Sequence, residues 1–200
     1  MSGKALLAET TQKTEQISLA SQAQPNVPKQ VPAARLPKIA LQGNIWYIEN
    51  QIDNSSIEIE VKEMQQRIVI VDSQRSIVKI KGKCTAISVE KGKSLGVVVE
   101  DVIVSTFELL NSSKIQVQLS ATCPTMTIDN CEGVQVFLGS AVHENFELLT
   151  CKANEINLYK QVSKEPCEFS NEIPVPEQFK SRFDSKTGNL VTEPVKHTAV

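Results

Sequence analysis

Aromatic residues are scarce in this sequence: its 200 residues include one tryptophan, two tyrosines and six phenylalanines. Isoleucine, valine and leucine supply the apolar content instead, and these residues suit stacked β-strands. No run of about 18 apolar residues is present, so we predict no membrane-spanning segment. The net charge of −2 gives no general nucleic-acid footprint. We therefore expect neither nucleic acid nor a membrane as a partner.

Cysteines are few and lack a pairing pattern. The five cysteines form no Cys-x-x-Cys motif, and their odd number argues for reduced thiols in the cytosol. Cys84 and Cys123 fall two coils apart in the repeat described below, roughly 10 Å. A disulfide needs Cα atoms within about 7 Å, so this pair is excluded. We predict free thiols and no metal site.

Catalytic constellations are also missing. His143 and His197 are the only histidines, and no serine or cysteine motif accompanies them. Gly-rich phosphate-binding loops are absent as well. The carboxylates that come closest to a catalytic cluster, Glu58 with Glu60 and Glu100 with Asp101, are equally explained as members of charge ladders. We therefore predict no enzyme activity and no cofactor.

Two identical tetrapeptides mark an internal repeat. Phe-Glu-Leu-Leu occurs at residues 107–110 and again at 146–149, an offset of 39 residues. Each 39-residue unit holds four short runs in which apolar and polar residues alternate, as in half-buried strands. This register makes Val78, Val117 and Ile156 equivalent positions. Self-similarity at a fixed period predicts stacked units that bury their apolar faces against one another.

Four strands per 39 residues fit an antiparallel meander or sandwich, or a β-solenoid with about 20 residues per coil. Turn residues recur in register, and Asn-Gly hairpin dipeptides are absent. Both observations favour winding in one direction. We predict an all-β fold, a right-handed parallel β-helix with two strands per coil and about six coils.

The repeat divides the chain into three parts. We predict that residues 1–36 form a flexible tail or linker, with a short helix over residues 4–20. Residues 37–165 predict the β-helix domain, with Trp46 capping the first coil. Residues 166–200 predict a C-terminal extension for capping and dimerisation.

Two prolines distinguish the start of this extension. Pro174 and Pro176 are separated by one residue, which forbids a regular central strand. The segment can still lie across the end of the solenoid. We expect it to bury Ile173, Val175 and Phe179 there.

The last part of the extension predicts a β-hairpin. Residues 181–195 can turn around Lys186-Thr187-Gly188-Asn189 and return through residues 190–192. A lone terminal hairpin is marginally stable in water. Pairing with a second copy of the chain, as a swapped homodimer, would stabilise it.

The stretch Glu-Ile-Pro-Val-Pro-Glu-Gln-Phe-Lys at residues 172–180 resembles the signature near the end of cyclase-associated proteins. The likeness covers about residues 37–192. It includes four further stretches, residues 37–51, 78–83, 93–97 and 123–128.

This resemblance implies a β-helix that dimerises by exchanging its C-terminal strands. It also implies binding to actin monomers, preferably ADP-bound, and promotion of ADP/ATP exchange in support of actin filament turnover. The implied location is the cytoplasm, in association with the cytoskeleton. The signature and dimer residues it implies are Pro174, Val175, Pro176, Glu177, Gln178, Phe179, Leu190 and Val191.

Strand alternation places Lys79 and Lys81 on the outside of one sheet, with Lys83 in the following turn. One interpretation is a cross-strand charge ladder with Glu60 and Glu100. The other is a basic strip for actin's acidic surface, where charge raises the association rate more than the affinity. Both interpretations stay open. The candidate actin-binding residues are Lys79, Lys81, Lys83, Glu100 and Gln118.

Alternation also leaves apolar residues on the outside. Such columns form a contact patch, or they lie beneath the N-terminal linker or a dimer partner. These residues are Val98 and Phe137 on one sheet and Val69, Val71, Leu110 and Leu149 on the other.

An alternative function follows from a second β-helix family, the GTPase activators similar to tubulin cofactor C. Their mechanism needs an arginine presented in trans to a transferring phosphate. Of the four arginines, Arg75 in the turn after residue 71 is the one superficial candidate. The signature at residues 172–180 favours actin over this alternative.

Overall fold

A computed structural model describes residues 35–142, 146–164 and 167–195. The helix expected over residues 4–20 lies outside these ranges. The described residues form β-strands and turns, and none of their segments is a helix long and apolar enough to cross a membrane.

Thirteen strands build the solenoid. They are β1 (Lys38–Gln42), β2 (Ile45–Glu49), β3 (Ile57–Glu60), β4 (Arg67–Val71), β5 (Ile77–Lys81), β6 (Cys84–Glu90), β7 (Lys93–Val99), β8 (Ile103–Leu110), β9 (Ser113–Leu119), β10 (Thr125–Asp129), β11 (Glu132–Leu138), β12 (Glu147–Cys151) and β13 (Asn154–Ser163). Four strands follow: β14 (Glu168–Phe169), β15 (Ile173–Pro174), β16 (Phe179–Phe183) and β17 (Leu190–Pro194).

Successive strands alternate between two sheets. Sheet A has the order β1-β2-β4-β6-β8-β10-β12, and sheet B has the order β14-β13-β11-β9-β7-β5-β3. From β2 to β13, neighbouring strands within each sheet are parallel. The described chain thus winds through six coils of two strands each, as predicted for the β-helix.

Aliphatic side chains from the two sheets fill the interior in stacked columns. In sheet B, Val78, Val97, Val117 and Val136 lie directly above one another and are buried. Sheet A contributes a facing column that includes Ile70 and Val89. β-branched residues repeat because each layer presents the same pleated, fully buried position to the next.

One corner of the coil repeats the same backbone conformation. Each passage from sheet A to sheet B places two residues in the left-handed region, three positions apart, as at Asn50 and Asp53 or Asn111 and Lys114. The backbone N–H of each first residue bonds the next coil, for example Asn111 N to Asp129 O at 3.0 Å. A fixed corner keeps the strands in register from coil to coil.

A buried polar ladder fills this corner. The Ser73 hydroxyl accepts a hydrogen bond from the Gln51 N–H at 3.3 Å and donates one to the Val71 carbonyl at 3.1 Å. The Ser112 hydroxyl likewise accepts from the Gly92 N–H and donates to the Leu110 carbonyl. These bonds satisfy backbone groups that would otherwise be buried without partners.

The opposite side of the coil varies in length, and this corrects the predicted repeat. In sheet A, Met126 pairs with Phe107 of the preceding coil and with Leu148, not Phe146, of the following coil. Likewise Leu158, not Ile156, continues the column of Val136. The connection from β11 to β12 is longer than its predecessors, so the second Phe-Glu-Leu-Leu is displaced by two residues. An even displacement leaves the inward and outward faces unchanged.

The N-terminal end of the solenoid is capped as predicted for Trp46. β1 folds back antiparallel on β2. The Trp46 ring packs against the core, and its Nε1–H donates to Gln66 Oε1 at 3.2 Å.

At the C-terminal end, the prediction of burial holds for one of three residues. Val175 packs against the core, and its N–H bonds the Ile156 carbonyl at 2.9 Å. Ile173 is 38% exposed and Phe179 is 60% exposed, so their predicted burial is wrong within the described protomer. β15 adds to β13 in sheet B as a two-residue edge strand, whereas β12 of sheet A hydrogen-bonds β10 alone among the described strands.

The predicted terminal hairpin is present. β16 and β17 pair antiparallel, with Phe183 opposite Leu190 and Phe179 opposite Pro194. Asp184 shapes the turn by accepting hydrogen bonds from the N–H groups of Lys186 and Thr187 at 3.0 and 2.7 Å. These bonds lower the pKa of the Asp184 carboxyl.

Candidate functional site

The outer face of sheet B carries Lys79 and Lys81, the two strand residues for which a basic strip is one interpretation. Lys79 stands in a column with Val98, Gln118 and Phe137, one residue per coil. Lys81 begins the neighbouring column, opposite Glu60. Lys79 and Gln118 are therefore brought together on one face.

Both strand lysines are engaged in ion pairs. Lys79 Nζ lies 2.9 Å from Glu100 Oε1, and Lys81 Nζ lies 3.2 Å from Glu58 Oε2. The hydrogen bond that Lys79 donates to Glu100, together with the charge of Glu100, raises the pKa of Lys79. The charge-ladder interpretation describes these contacts, although the pairs cross diagonally between coils. Lys83 is exposed in the turn after β5, apart from these pairs.

A groove runs across the outer face of sheet B beside this strip. We call it the sheet B groove; its volume is about 820 Å³. Its floor is the column of Ile77, Gly96, Gln116, Gln135 and Asn157, one residue per coil. One wall is the corner column that contains Arg75, Ser94, Lys114, Gly133 and Glu155. The other wall contains Val98, Gln118 and Phe137.

An aromatic cluster closes one end of that second wall. Phe137 and Tyr159 stack with ring centroids 4.7 Å apart and an interplanar angle of 13°. Phe169 meets Phe137 edge-on at 5.2 Å and 76°. Burial raises the pKa of Tyr159, and the neighbouring Glu172 carboxylate adds to the rise.

The groove and the cluster were missed at the level of sequence. A signal existed, because Gln116 and Gln135 are 19 residues apart, as are Gln118 and Phe137. Reading the offset of a single coil, not of two coils, would have placed these side chains side by side.

The signature segment ends against the last coil. Pro174 lies opposite Asn157, and the Glu177 carboxylate accepts a hydrogen bond from the Glu155 backbone N–H. Pro176 is exposed, and the Gln178 carbonyl accepts from the Val195 N–H at 2.8 Å. The segment therefore links the groove wall at Glu155 to the hairpin.

The hairpin has two chemically different faces. Phe179, Phe183 and Leu190 share one face and are 60%, 75% and 61% exposed. Alternation places Lys180 and Arg182 on the other face, within 3.4 and 3.1 Å of the Glu193 carboxylate. Val191 accompanies them and is 41% exposed.

Arg75, the candidate arginine of the GTPase-activator alternative, forms an ion pair within the chain. Arg75 binds Asp53 through two hydrogen bonds of 2.6 and 2.9 Å. This bidentate pair lowers the pKa of Asp53 and raises that of Arg75. In the described chain this guanidinium is therefore engaged by Asp53 in an exposed ion pair.

The cysteines divide into buried and exposed groups. Cys84, Cys123 and Cys131 are buried and Cys151 and Cys167 are exposed, all as free thiols. Burial raises the pKa of Cys84 to about 11 and that of Cys123 to about 12. Within the described ranges no three His, Cys, Asp or Glu side chains are arranged to hold a metal ion.

These features define a parallel β-helix protein whose last coil is closed by a Pro-x-Pro segment and followed by a separate hairpin. Residues 35–197 match the family described as adenylate cyclase associated (CAP) C terminal. The chain belongs to this family of cyclase-associated proteins.

Two mammalian proteins are similar to this chain. The chain is 32% identical over 173 residues to adenylyl cyclase-associated protein 2 of Homo sapiens, covering 86% of this chain and 35% of that protein. It is 36% identical over 174 residues to adenylyl cyclase-associated protein 1 of Bos taurus, covering 86% of this chain and 36% of that protein. The chain thus spans about a third of the length of these relatives.

The fold also matches a solved structure. The crystal structure of cyclase-associated protein from Cryptosporidium parvum superimposes with a TM-score of 0.74 at 23% identity. The match covers 80% of this chain and 96% of that chain. This likeness establishes the shared fold.

Proposed function

We propose that this chain binds actin monomers, preferentially with ADP, and promotes exchange of ADP for ATP in the cytoplasm. Family membership over residues 35–197 is the observation that carries the proposal. The Pro-Val-Pro-Glu-Gln-Phe signature occupies a defined place, with Val175 on the core and Glu177 bonded to Glu155. The protein acts without chemistry or a cofactor of its own.

The mechanism is selective binding. A protein accelerates nucleotide release when it binds more tightly to the actin conformation with a loosened nucleotide cleft. A rigid solenoid suits this task, because its parallel sheets hold the contacting side chains at fixed spacings. The differential affinity for the two actin states then sets the acceleration.

The proposed contact surface is the outer face of sheet B around Lys79, Lys81, Lys83, Glu100 and Gln118. Because Lys79 and Lys81 are paired with carboxylates, this surface offers both signs of charge. Pairs of this kind orient a partner and steer its approach, since each charge can exchange its neighbour for one on actin.

The proposed assembly is a homodimer formed through the C-terminal extension. A two-stranded hairpin needs further contacts to be stable in water. The exposed face of Phe179, Phe183 and Leu190 offers these contacts to a second copy. The open edge of β12 is an additional place where a strand from the partner can add.

Nucleotide exchange on actin tests the function. ADP-actin monomers carrying a fluorescent nucleotide analogue are mixed with excess ATP, with and without the protein. We expect faster loss of fluorescence, saturating with protein concentration. An unchanged release rate at saturating protein would remove the exchange activity from the proposal, and a pull-down of actin monomers would then decide the binding separately.

A further inference from the structure

The dimensions of the sheet B groove select an elongated ligand. From the layer of Ile77 to that of Asn157 the floor crosses four strand-to-strand steps, roughly 19 Å at about 4.8 Å per step. Gly96 deepens the floor because it faces outward without a side chain. The groove runs along the solenoid axis, so its occupant must lie across the strands.

The floor is uncharged and rich in amides. Gln116 Nε2 donates to Gln135 Oε1 at 2.9 Å, which aligns the two side chains. That bond leaves the Gln116 carbonyl oxygen and the Gln135 amide hydrogens available to a ligand. In the wall, Lys114 and Glu155 carry opposite charges. These features suit a neutral ligand with free carbonyl groups, not a phosphate or an acidic peptide.

Phe137 is the aromatic residue that lines the groove. Phe137 and Tyr159 stack on each other, which occupies the faces between them. Ring edges carry the positive end of the aromatic quadrupole, so they attract carbonyl oxygens. A sugar platform needs a broad free ring face, and the stack with Tyr159 covers one face of Phe137.

We propose that the sheet B groove binds a proline-rich segment of a partner protein in the polyproline II conformation. Such a segment forms no internal hydrogen bonds, so its carbonyl groups are free to accept from the groove. It advances about 9.3 Å per turn of three residues, close to the roughly 9.6 Å between every second strand. Gln116 and Asn157 lie two strands apart and would meet successive turns. The polyproline II helix is already ordered before binding, and aromatic side chains such as Phe137 suit its recognition.

Nuclear magnetic resonance with the isotope-labelled chain tests the proposal in the absence of actin. The probe is a capped nine-residue peptide of Ala-Pro-Pro triplets, and the matched control peptide has Ala-Gly-Gly triplets. We expect the proline peptide to shift the side-chain amide signals of Gln116, Gln135 and Asn157 saturably. The glycine peptide should bind much more weakly, because it is not preordered.

Two variants locate the binding. Gly96→Ile fills the floor; a Cβ there would lie 3.5 Å from Ile77 Cγ1, an ordinary contact. The unfolding midpoint of this variant checks that its fold is intact. Gln135→Met removes the amide at similar size. Ser88→Ile is the matched control on the outer face of sheet A. We expect the two groove variants to weaken binding by about ten-fold or more and the control to leave it unchanged.

Three outcomes would overturn the proposal. The first is the absence of groove shifts at millimolar proline peptide. The second is equal affinity of the Gly96→Ile, Gln135→Met and Ser88→Ile proteins. The third is saturable binding at the groove of a β-1,4-linked glucose hexamer but not of the proline peptide, which would identify a carbohydrate site instead.

Discussion

Lys79 and Glu100 are joined across neighbouring coils, with Nζ and Oε1 2.9 Å apart. Glu100 follows β7, whereas Lys79 sits in β5, so the pair crosses the sheet diagonally. A second diagonal pair joins Lys81 to Glu58 at 3.2 Å. The outer face of sheet B is therefore charged without being basic overall, and a charged partner that docked there would have to exchange contacts with these pairs.

Charge reversal at Lys79 tests this role in actin binding. Lys79→Glu places a carboxylate beside Glu100 and Glu58, so we expect slower association with actin monomers at low salt. The effect should shrink as salt rises, because exposed charges are screened. Stopped-flow association rates measure it. Lys152→Glu makes the same charge change at a distant corner; equal slowing by both variants would mean that only net charge matters.

Disruption of the apolar hairpin face should yield monomers. Phe183→Ser and Leu190→Ser remove facing apolar side chains that are 75% and 61% exposed in the single protomer. Loss of this patch leaves the partner copy little to bury. Sedimentation velocity measures the change, with Lys180→Ser on the opposite face as the control. A dimer that persists in both variants, and after deletion of residues 181–200, would exclude the strand-exchange arrangement.

Gly82 is held in a place that admits no side chain. Its φ is +92°, and a Cβ would lie 2.2 Å from the Val61 carbonyl oxygen. We expect Gly82→Ala to lower the free energy of unfolding by about 2 kcal/mol or more, from backbone strain and the displaced strand end. Equilibrium urea unfolding measures the loss. Gly43→Ala, at φ +57° with open space, should lower the free energy of unfolding by about 1 kcal/mol. Similar losses in the two variants would mean that the contact with Val61 contributes nothing to the effect of Gly82→Ala.

A substitution to glycine at a corner residue should instead raise the free energy of unfolding. Lys91 has φ +56°, which costs about 1–2 kcal/mol for a residue with a Cβ. We expect Lys91→Gly to raise the free energy of unfolding by up to about 1 kcal/mol, after the greater unfolded-state freedom of glycine is subtracted. Lys93→Gly, in the adjacent strand, should lower it by about 0.5–1 kcal/mol. Urea unfolding measures both effects. A shift of the two midpoints in the same direction would contradict this expectation.

Buried thiols should make the fold sensitive to alkali. The pKa values of Cys84 and Cys123, about 11 and about 12, exceed the ordinary value of 9.0. The unfolded chain therefore releases these protons first as pH rises, and stability is lost above about pH 9. The expected slope approaches about 1.4 kcal/mol per pH unit for each thiol, up to the folded pKa. Urea unfolding of wild type and Cys84→Ala between pH 8 and 11 measures it; an unchanged slope in the variant would contradict the assignment.

The periodicity of the sequence was sufficient to predict the fold. Alternation and a fixed corner length placed Lys79, Gln118 and Phe137 on the outer face correctly. The prediction erred where spacing on the variable side changed. Leu148 takes the position expected for Phe146, because the connection before β12 is longer. Sequence similarity at residues 146–149 is therefore local likeness, not structural equivalence.

The groove depends on distances that no linear pattern contains. Its depth comes from Gly96 lacking a side chain at an outward position, and one wall includes Phe137, which stacks on Tyr159 of the next coil. The ion-pair partners also escaped the sequence, since alternation indicates Glu60 beside Lys81 and does not reveal the diagonal contact with Glu58. Rotamer choice decides such contacts.

The last strands of the two sheets, β12 and β13, differ in their hydrogen-bonded neighbours. Sheet B is covered at β13 by β14 and β15, whereas β12 has β10 as its one hydrogen-bonded neighbour among the described strands. In a stack where each coil depends on the next, opening begins at the layer with the fewest neighbours. At the opposite end of sheet B, β3 also has a single hydrogen-bonded neighbour in the described chain, β5. We therefore expect fraying of a free protomer to begin at these two edges, β12 and β3, and to proceed inward coil by coil.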